Sequence, residues 1–387
     1  MLNNAIKVYD DNTLLVNTYT LTVTGEQIKA LCSEIGFNNE DTSSLLETYQ
    51  YITLSQSALN IFKTYVTLYF NEDKNSLCGY FNISDLIKTN PDQFFLLVAL
   101  YKACEIKSLY EDKGIDKDIY IDTMKDITVW SNNHRLKYGV LGLSELHWLY
   151  YHLTLQLFRI GRLQFMRVEF NGDVKLFKQL ATGFPLIMSY GDIKYDFLGN
   201  KTLDRSDFVS SYIESDVTIT ANPIREGKCL RDPLTINKCD YSLEIQNGTP
   251  LLDIHIPQGE PLNIKDSIDS MKKAVIFFYK HFNSWAVKGF TCKSWLLNPN
   301  YKYILSQESN IRKFASMFYH YPVISNDDQM YIRVFNGEIS LESIKLSKSL
   351  SSLQTSIING IEEGLDFSDS AVIFPSYDMK KLLHYTI

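Results

Sequence analysis

Apolar positions change their period once along this chain, close to residue 157. Upstream, from about residue 25, they recur at three-to-four spacing, the repeat that gathers side chains on one helical face. Tyr120, Met124, Ile127 and Trp130 mark one such face, and Leu146, Leu149, Tyr150, Leu153 and Leu157 another. Residues 94–110 are mostly apolar and predict a buried helix. Asn90 before Pro91 predicts its start: an N-cap, then proline at the first helical position, where a missing N–H costs nothing.

Downstream the period falls to two. Residues 158–170 alternate apolar and polar side chains and read as a strand. From there to about residue 250, short strand-like runs are punctuated by Gly, Asn, Asp and Pro. Residues 241–245 form one such run, with Asn247 and Gly248 as the turn after it. The last third predicts strand 251–256, helix 264–282, strand 290–297, helix 301–318 and strand 331–335. In helix 264–282 the apolar face is Ile264, Ile268, Met271, Val275, Phe278 and Phe282. Strand–helix–strand units with such short connections imply parallel pairing through right-handed crossovers. Strands 251–256 and 290–297 are therefore expected in one sheet, parallel, flanking helix 264–282. The expected fold class is α+β: a helical domain over 1–157, then a mixed α/β domain over 158–387.

Composition narrows the function classes. A chain of 387 residues exceeds one ordinary core, so about two domains are expected. With 45% hydrophobic and 21% charged residues it is globular, and its 25 Tyr and 22 Phe promise large buried aromatic clusters. A formal net charge of −7 argues against nucleic acid as a partner, because phosphate backbones are held by clustered Lys and Arg. The first ten residues lack a signal pattern, and the longest apolar run, 94–101, falls far short of the ~20 residues that span a bilayer. A cytoplasmic protein with no membrane partner is expected. Six cysteines are scattered without a CxxC pair, so reduced thiols are expected. His147 and His152 stand five apart rather than four, and no metal is expected.

Several stretches carry a resemblance. They are Trp148-Leu149 with His152, and the run Leu157-Phe158-Arg159-Ile160-Gly161-Arg162-Leu163-Gln164-Phe165. Next come Leu252-Asp253-Ile254-His255-Ile256-Pro257 with Gly259 and Leu262, then Ser294-Trp295-Leu296-Leu297-Asn298-Pro299. Ser309-Asn310-Ile311 with Phe314, Arg333-Val334-Phe335 and Ser352-Leu353-Gln354 complete the set. Together, in this order, they resemble bacterial acyltransferases with a helical N-acyltransferase N-terminal domain and a GNAT-like C-terminal domain. The resemblance implies a GNAT fold whose fourth and fifth strands splay apart, with the pantetheine arm of acetyl-CoA or another acyl-CoA between them. It also implies a diphosphate held by the loop after the fourth strand, at Ile256, Pro257, Gln258, Gly259 and Leu262, with Ser294 and Asn298 toward the cofactor. The usual loop is rich in small residues, whereas Pro257-Gln258-Gly259-Glu260-Pro261-Leu262 has one glycine and a glutamate. Glu260 would repel a diphosphate unless it points away.

The residues themselves suggest chemistry. Alternation places Leu252, Ile254 and Ile256 on one face of their strand and Asp253 and His255 on the other. A carboxylate and an imidazole so placed suit a general base and its orienter for an amine nucleophile, or a structural pair. Cys292 or Ser294 could approach His255 as a nucleophile, or simply pack. Asn298 could face pantetheine, cap the following helix, or both. Tyr301 or Tyr303 could protonate a departing thiolate, as the resemblance implies. Arg162, which shares a face with Gln164, is expected to pair with a carboxylate between domains; a clamp on a substrate carboxylate is the other reading. The expected activity is transfer of an acyl group, by expectation acetyl, from acyl-CoA to a small-molecule or peptide amine. The alternative is a catalytically silent GNAT-like ligand- or protein-binding module.

Overall fold

The computed structural model describes residues 19–70, 87, 90–204, 206–325, 328–346 and 349–379. Two compact units divide the chain between Ile160 and Gly161.

The first unit is built of helices. Thr24 caps α1 (Gly25–Ile35) through a capping box with Gln27, and Gly36 closes it in the left-handed conformation. Asn38 caps α2 (Asn39–Leu54), which runs on through α3 (Gln56–Thr64) into a π-helical turn, Tyr65–Tyr69. Three longer or shorter helices follow: α4 (Gln93–Asp112), α5 (Lys117–Tyr138) and α6 (Leu146–Leu153). Their core is aromatic, with Phe62 meeting Phe94 and Tyr101 edge to face. The helix expected from Asn90 starts at Gln93 instead. Asn90 is left-handed (φ 52°), and Gln93 and Phe94 donate to the carbonyls of Asn90 and Pro91, so a turn precedes the helix. Leu157 does not extend α6. Leu155 turns left-handed (φ 56°), and Leu157 opens strand β1 (Leu157–Ile160).

The second unit holds several sheets. The single strand expected over 158–170 is broken by a turn at Gly161 (φ 68°), after which β2 (Leu163–Glu169) begins. The chain then makes β3 (Val174–Gln179), β4 (Pro185–Ser189), two short strands β5 (Lys194–Tyr195) and β6 (Phe208–Val209), and β7 (Tyr212–Glu214). β8 (Thr218–Ala221), β9 (Pro223–Arg225), β10 (Lys228–Cys229), β11 (Leu234–Asn237) and β12 (Tyr241–Ile245) follow. Among them β10–β9–β4–β3–β12 form one antiparallel sheet.

The main sheet orders this unit's strands β2–β13–β14–β16–β15, where β13 is Pro250–His255, β14 Gly289–Ser294, β15 Tyr319–Tyr321 and β16 Ser370–Pro375. β13 and β14 pair in parallel through α7 (Ile264–His281), as the crossover rule predicts. On one face Leu251, Ala371, Ile373 and Tyr321 share a core with Leu176, Ile187 and Ile245 of the antiparallel sheet. Three expectations fail here. Strand 290–297 stops at Ser294 and tightens into a 3₁₀ turn over Trp295–Leu297. Helix 301–318 is two short pieces, α8 (Tyr301–Ile304) and α9 (Asn310–Ala315), separated by a polar turn. Residues 331–335 are not a strand but the end of α10 (Asp328–Phe335), whose Met330 and Phe335 are buried in a C-terminal apolar cluster. The strand that follows β14 in the sheet is β16, antiparallel to it.

Candidate active site

The parallel pair β13 and β14 is joined over a short stretch only. β13 is hydrogen-bonded to β2 along its whole length, from Pro250 opposite Glu169 to His255 opposite Gln164. β14 is likewise matched to β16 from Gly289 to Ser294. Yet between themselves they register only Leu252 with Phe290 and Asp253 with Thr291. Past that point each strand keeps its outer partner and loses its inner one. Main-chain groups on both sides of such an opening are available to an extended ligand.

The loop leaving β13 is held from behind. Arg162 is buried (6% exposed), and its guanidinium donates to three main-chain carbonyls: Nη1 to Pro257 (2.9 Å), Nη2 to Glu260 (2.7 Å) and Nε to Pro261 (2.9 Å). Its N–H donates to Ser270 Oγ on α7 (2.7 Å). Gly161 before it is required twice over: its φ is 68°, and a Cβ there would lie 2.8 Å from Ser270 Oγ. Arg162 therefore serves the loop's main chain through three carbonyls. At the far end Asn263 caps α7, accepting from the Lys265 N–H (2.8 Å). Gly259 is left-handed (φ 99°), and a Cβ there would meet open space. A cleft of about 370 Å³ opens at this corner, lined by Gly161, Arg162, Glu260, Pro261, Asn263, Asp266, Asp269 and Ser270.

Asp253 and His255 share a face of β13, as alternation predicts, and meet: His255 Nε2 lies 3.2 Å from Asp253 Oδ2, with both side chains about a quarter exposed. Across the ladder from His255 stands Gln164, which is buried. Cys292 and Ser294 do not join them. Asp253 registers with Thr291, so Cys292 belongs to the opposite face of the sheet. Cys292 is also 1% exposed, and burial pushes its thiol well above the ordinary range, which suits packing rather than nucleophilic attack.

The remaining expected residues have structural work. Ser294 accepts from the Leu296 N–H (3.2 Å) at the start of the 3₁₀ turn. Asn298 is buried; its amide donates to Ser368 O (2.8 Å) and accepts from the Asn300 N–H (2.9 Å), tying the turn to the approach of β16. Tyr301 is 2% exposed in the C-terminal apolar cluster, its hydroxyl without a hydrogen-bond partner among the described residues, and burial raises its pKa. Tyr303 is 66% exposed. Ile256 and Leu262 flank the loop, with Pro257 buried and Gln258 exposed between them. Asp369, which no sequence pattern marks, stands just before β16 and 4.0 Å from Lys293 Nζ. Burial raises its carboxyl despite Lys293, Ser325 and the Trp295 N–H, which act to lower it. Among the described residues no three His, Cys, Asp or Glu side chains converge as metal ligands.

A parallel pair that parts beyond two registers, with a loop and helix N-terminus at its open end, defines a GNAT-like domain. Residues 157–372 match the GNAT-like C-terminal domain family, and residues 26–155 match the N-acyltransferase N-terminal domain. The chain belongs to the GNAT-like C-terminal domain family, which accounts for more than half its length. No curated protein sequence matches it. Among solved structures it is similar to an acyltransferase in complex with decanoyl-CoA and teicoplanin, with TM-score 0.62 and 18% identity over 92% of this chain and 90% of that one. It is also similar to an acyltransferase mutant in complex with octanoyl-CoA, with TM-score 0.61 and 18% identity over 91% and 88%. At that identity the likeness is one of fold.

Proposed function

We propose that this chain is an acyltransferase that moves an acyl group from acyl-CoA to an amine on a small-molecule or peptide acceptor. The observation that carries the reading is the interrupted ladder between β13 and β14. A pantetheine arm is an extended chain with two amides, and strand main chain at such an opening is the partner such a chain requires. At the end of β13, loop 257–263 and the first turn of α7 offer the environment in which a helix N-terminus favours a diphosphate. The donor is proposed to extend from acetyl-CoA to longer acyl-CoAs, because the similar structures hold octanoyl-CoA and decanoyl-CoA.

In this reading His255, oriented by Asp253, takes a proton from the acceptor ammonium. The neutral amine then attacks the thioester carbonyl, a C–N bond forms, and the C–S bond breaks. The second proton, which the acylated nitrogen must lose to become an amide, goes to solvent, and the proton held by His255 passes to the departing thiolate. We assign that proton to His255 rather than to Tyr301 or Tyr303, because one hydroxyl is enclosed in the C-terminal apolar cluster and the other ring is largely exposed.

Ligand linkage tests the donor. CoA that binds the folded state alone stabilises it by about 2.7 kcal/mol at a hundredfold excess over its dissociation constant. The melting temperature should therefore rise by several degrees in millimolar CoA. A folded protein that shows no shift would be a binding module for some other ligand, the reading that the acidic corner of Glu260, Asp266 and Asp269 favours.

A further inference from the structure

We infer that Arg162 is the residue that positions the diphosphate-binding loop of this protein, standing in for the small residues the loop lacks. The inference rests on the acyl-CoA reading above. In a trans peptide the C=O and the following N–H point in opposite directions. By drawing the Pro261 carbonyl to its Nε, Arg162 turns the Leu262 N–H to the other side of the loop. By drawing in the Pro257 and Glu260 carbonyls as well, it removes three acceptor oxygens from the side where an anion would bind. A diphosphate is repelled by carbonyl oxygens and held by N–H groups, so the orientation of these peptide planes decides whether the loop can take it.

Arg162 also places one buried positive charge directly behind the loop. That charge opposes the field of Glu260, Asp266 and Asp269 around the same corner. The arrangement cannot drift, because the Arg162 N–H is tied to Ser270 Oγ, which in turn donates to the Asp266 carbonyl (2.8 Å) one turn earlier on α7. Lysine could not replace it: a single ammonium on a flexible stem lacks the planar fork that reaches three carbonyls at once.

The test compares two ligands that differ only beyond the pantetheine arm, octanoyl-CoA and S-octanoyl-pantetheine, by calorimetric titration of the full chain. Wild type should bind octanoyl-CoA the more tightly. Arg162→Ala and Arg162→Lys should weaken octanoyl-CoA by about 10–100-fold, the usual worth of a residue that orients direct ligands, and leave S-octanoyl-pantetheine within about twofold. Ser270→Ala should shift octanoyl-CoA in the same direction by less, and it decides the matter if the arginine variants do not fold. Equal weakening of both ligands, or unchanged octanoyl-CoA affinity in all the variants, overturns the role of Arg162. If wild type binds the two ligands equally, the loop is no diphosphate site although the thioester reading stands. If it binds neither, the acyl-CoA reading itself falls, and this inference with it.

Discussion

His255 and Asp253 sit two positions apart on an extended strand, a spacing that puts both side chains on one face and, here, 3.2 Å from each other. The upstream end of that face is closed by Leu251 in the core, while at its downstream end the two polar residues lie beside the opening. An ammonium acceptor cannot attack a thioester until a base takes its proton, so the cost of removing that base is kinetic. Asp253→Asn and His255→Gln should each lower turnover by about 10²–10⁴-fold with octanoyl-CoA affinity nearly unchanged. Near-wild-type turnover in both would put the base elsewhere, with Asp369 next in line because burial already raises its carboxyl at the end of β14. At this scale the sequence was partly legible. Period-two alternation was enough to pair Asp253 with His255. It could not show that Arg162 reaches forward to loop 257–261, because three main-chain carbonyls leave no mark in the side-chain pattern. Nor could it show that Cys292 faces away from His255, which depends on the register between two strands distant in sequence, Leu252 with Phe290 and Asp253 with Thr291.

Elements declare themselves in sequence when they are long and one-faced, and α4, α7 and β13 did. Residues 331–335 misled because an aromatic and β-branched run alternates like a strand, whereas burial of Met330 and Phe335 in the C-terminal cluster makes it helical. β16 went unmarked since all six of its residues are buried, which leaves no alternation to read. The link between α5 and α6 is of the same hidden kind. Trp130 Nε1 (3.1 Å), Trp148 Nε1 (3.0 Å) and His152 Nε2 (3.1 Å) all meet Oδ2 of Asp126, which is 4% exposed. The sequence displays the two indoles and the imidazole as landmarks but gives no reason to single out the aspartate that joins them. Burial raises the Asp126 carboxyl, yet His152 beside it and the indole donors outweigh burial and hold it below the ordinary value. A carboxyl lowered by folding adds stability above its unfolded pKa and loses it as pH falls through its folded one. Asp126→Ala should cost about 3–5 kcal/mol, since His152 stays buried without its partner and two half-buried indoles lose their acceptor. Asp126→Asn keeps an oxygen for them and should recover part of that loss while flattening the fall in stability below pH ~4. Urea melts followed by tryptophan fluorescence measure both. A neutral-pH stability of Asp126→Ala equal to wild type would show that the cluster contributes nothing.

Across the whole molecule the electrostatics run against the proposed ligand. The chain carries a formal charge of −7, and Glu260, Asp266 and Asp269 line the cleft beside the loop that is proposed to take a diphosphate, with Asp269 paired to Lys273 (2.7 Å). Proteins that bind polyphosphates through surface Lys and Arg lose affinity with salt, because each exposed contact is screened. Here the expected attractions are of another type: loop and helix N–H groups, plus a single guanidinium that is buried. Buried or partly buried charges are screened much less than exposed ones, and the Debye length of about 10 Å at 0.1 M leaves the exposed acidic residues as the part that salt weakens most. The repulsion should therefore fade faster than the attraction. Octanoyl-CoA should bind as tightly or more tightly at about 500 mM NaCl than at about 50 mM, the reverse of a site built on surface cations. Titration calorimetry at the two salt concentrations decides it. A loss of roughly tenfold or more at high salt would mean that exposed cations hold the phosphates. Lys265, exposed in the first turn of α7, would then be the residue to replace, and the buried Arg162 would be serving the loop alone.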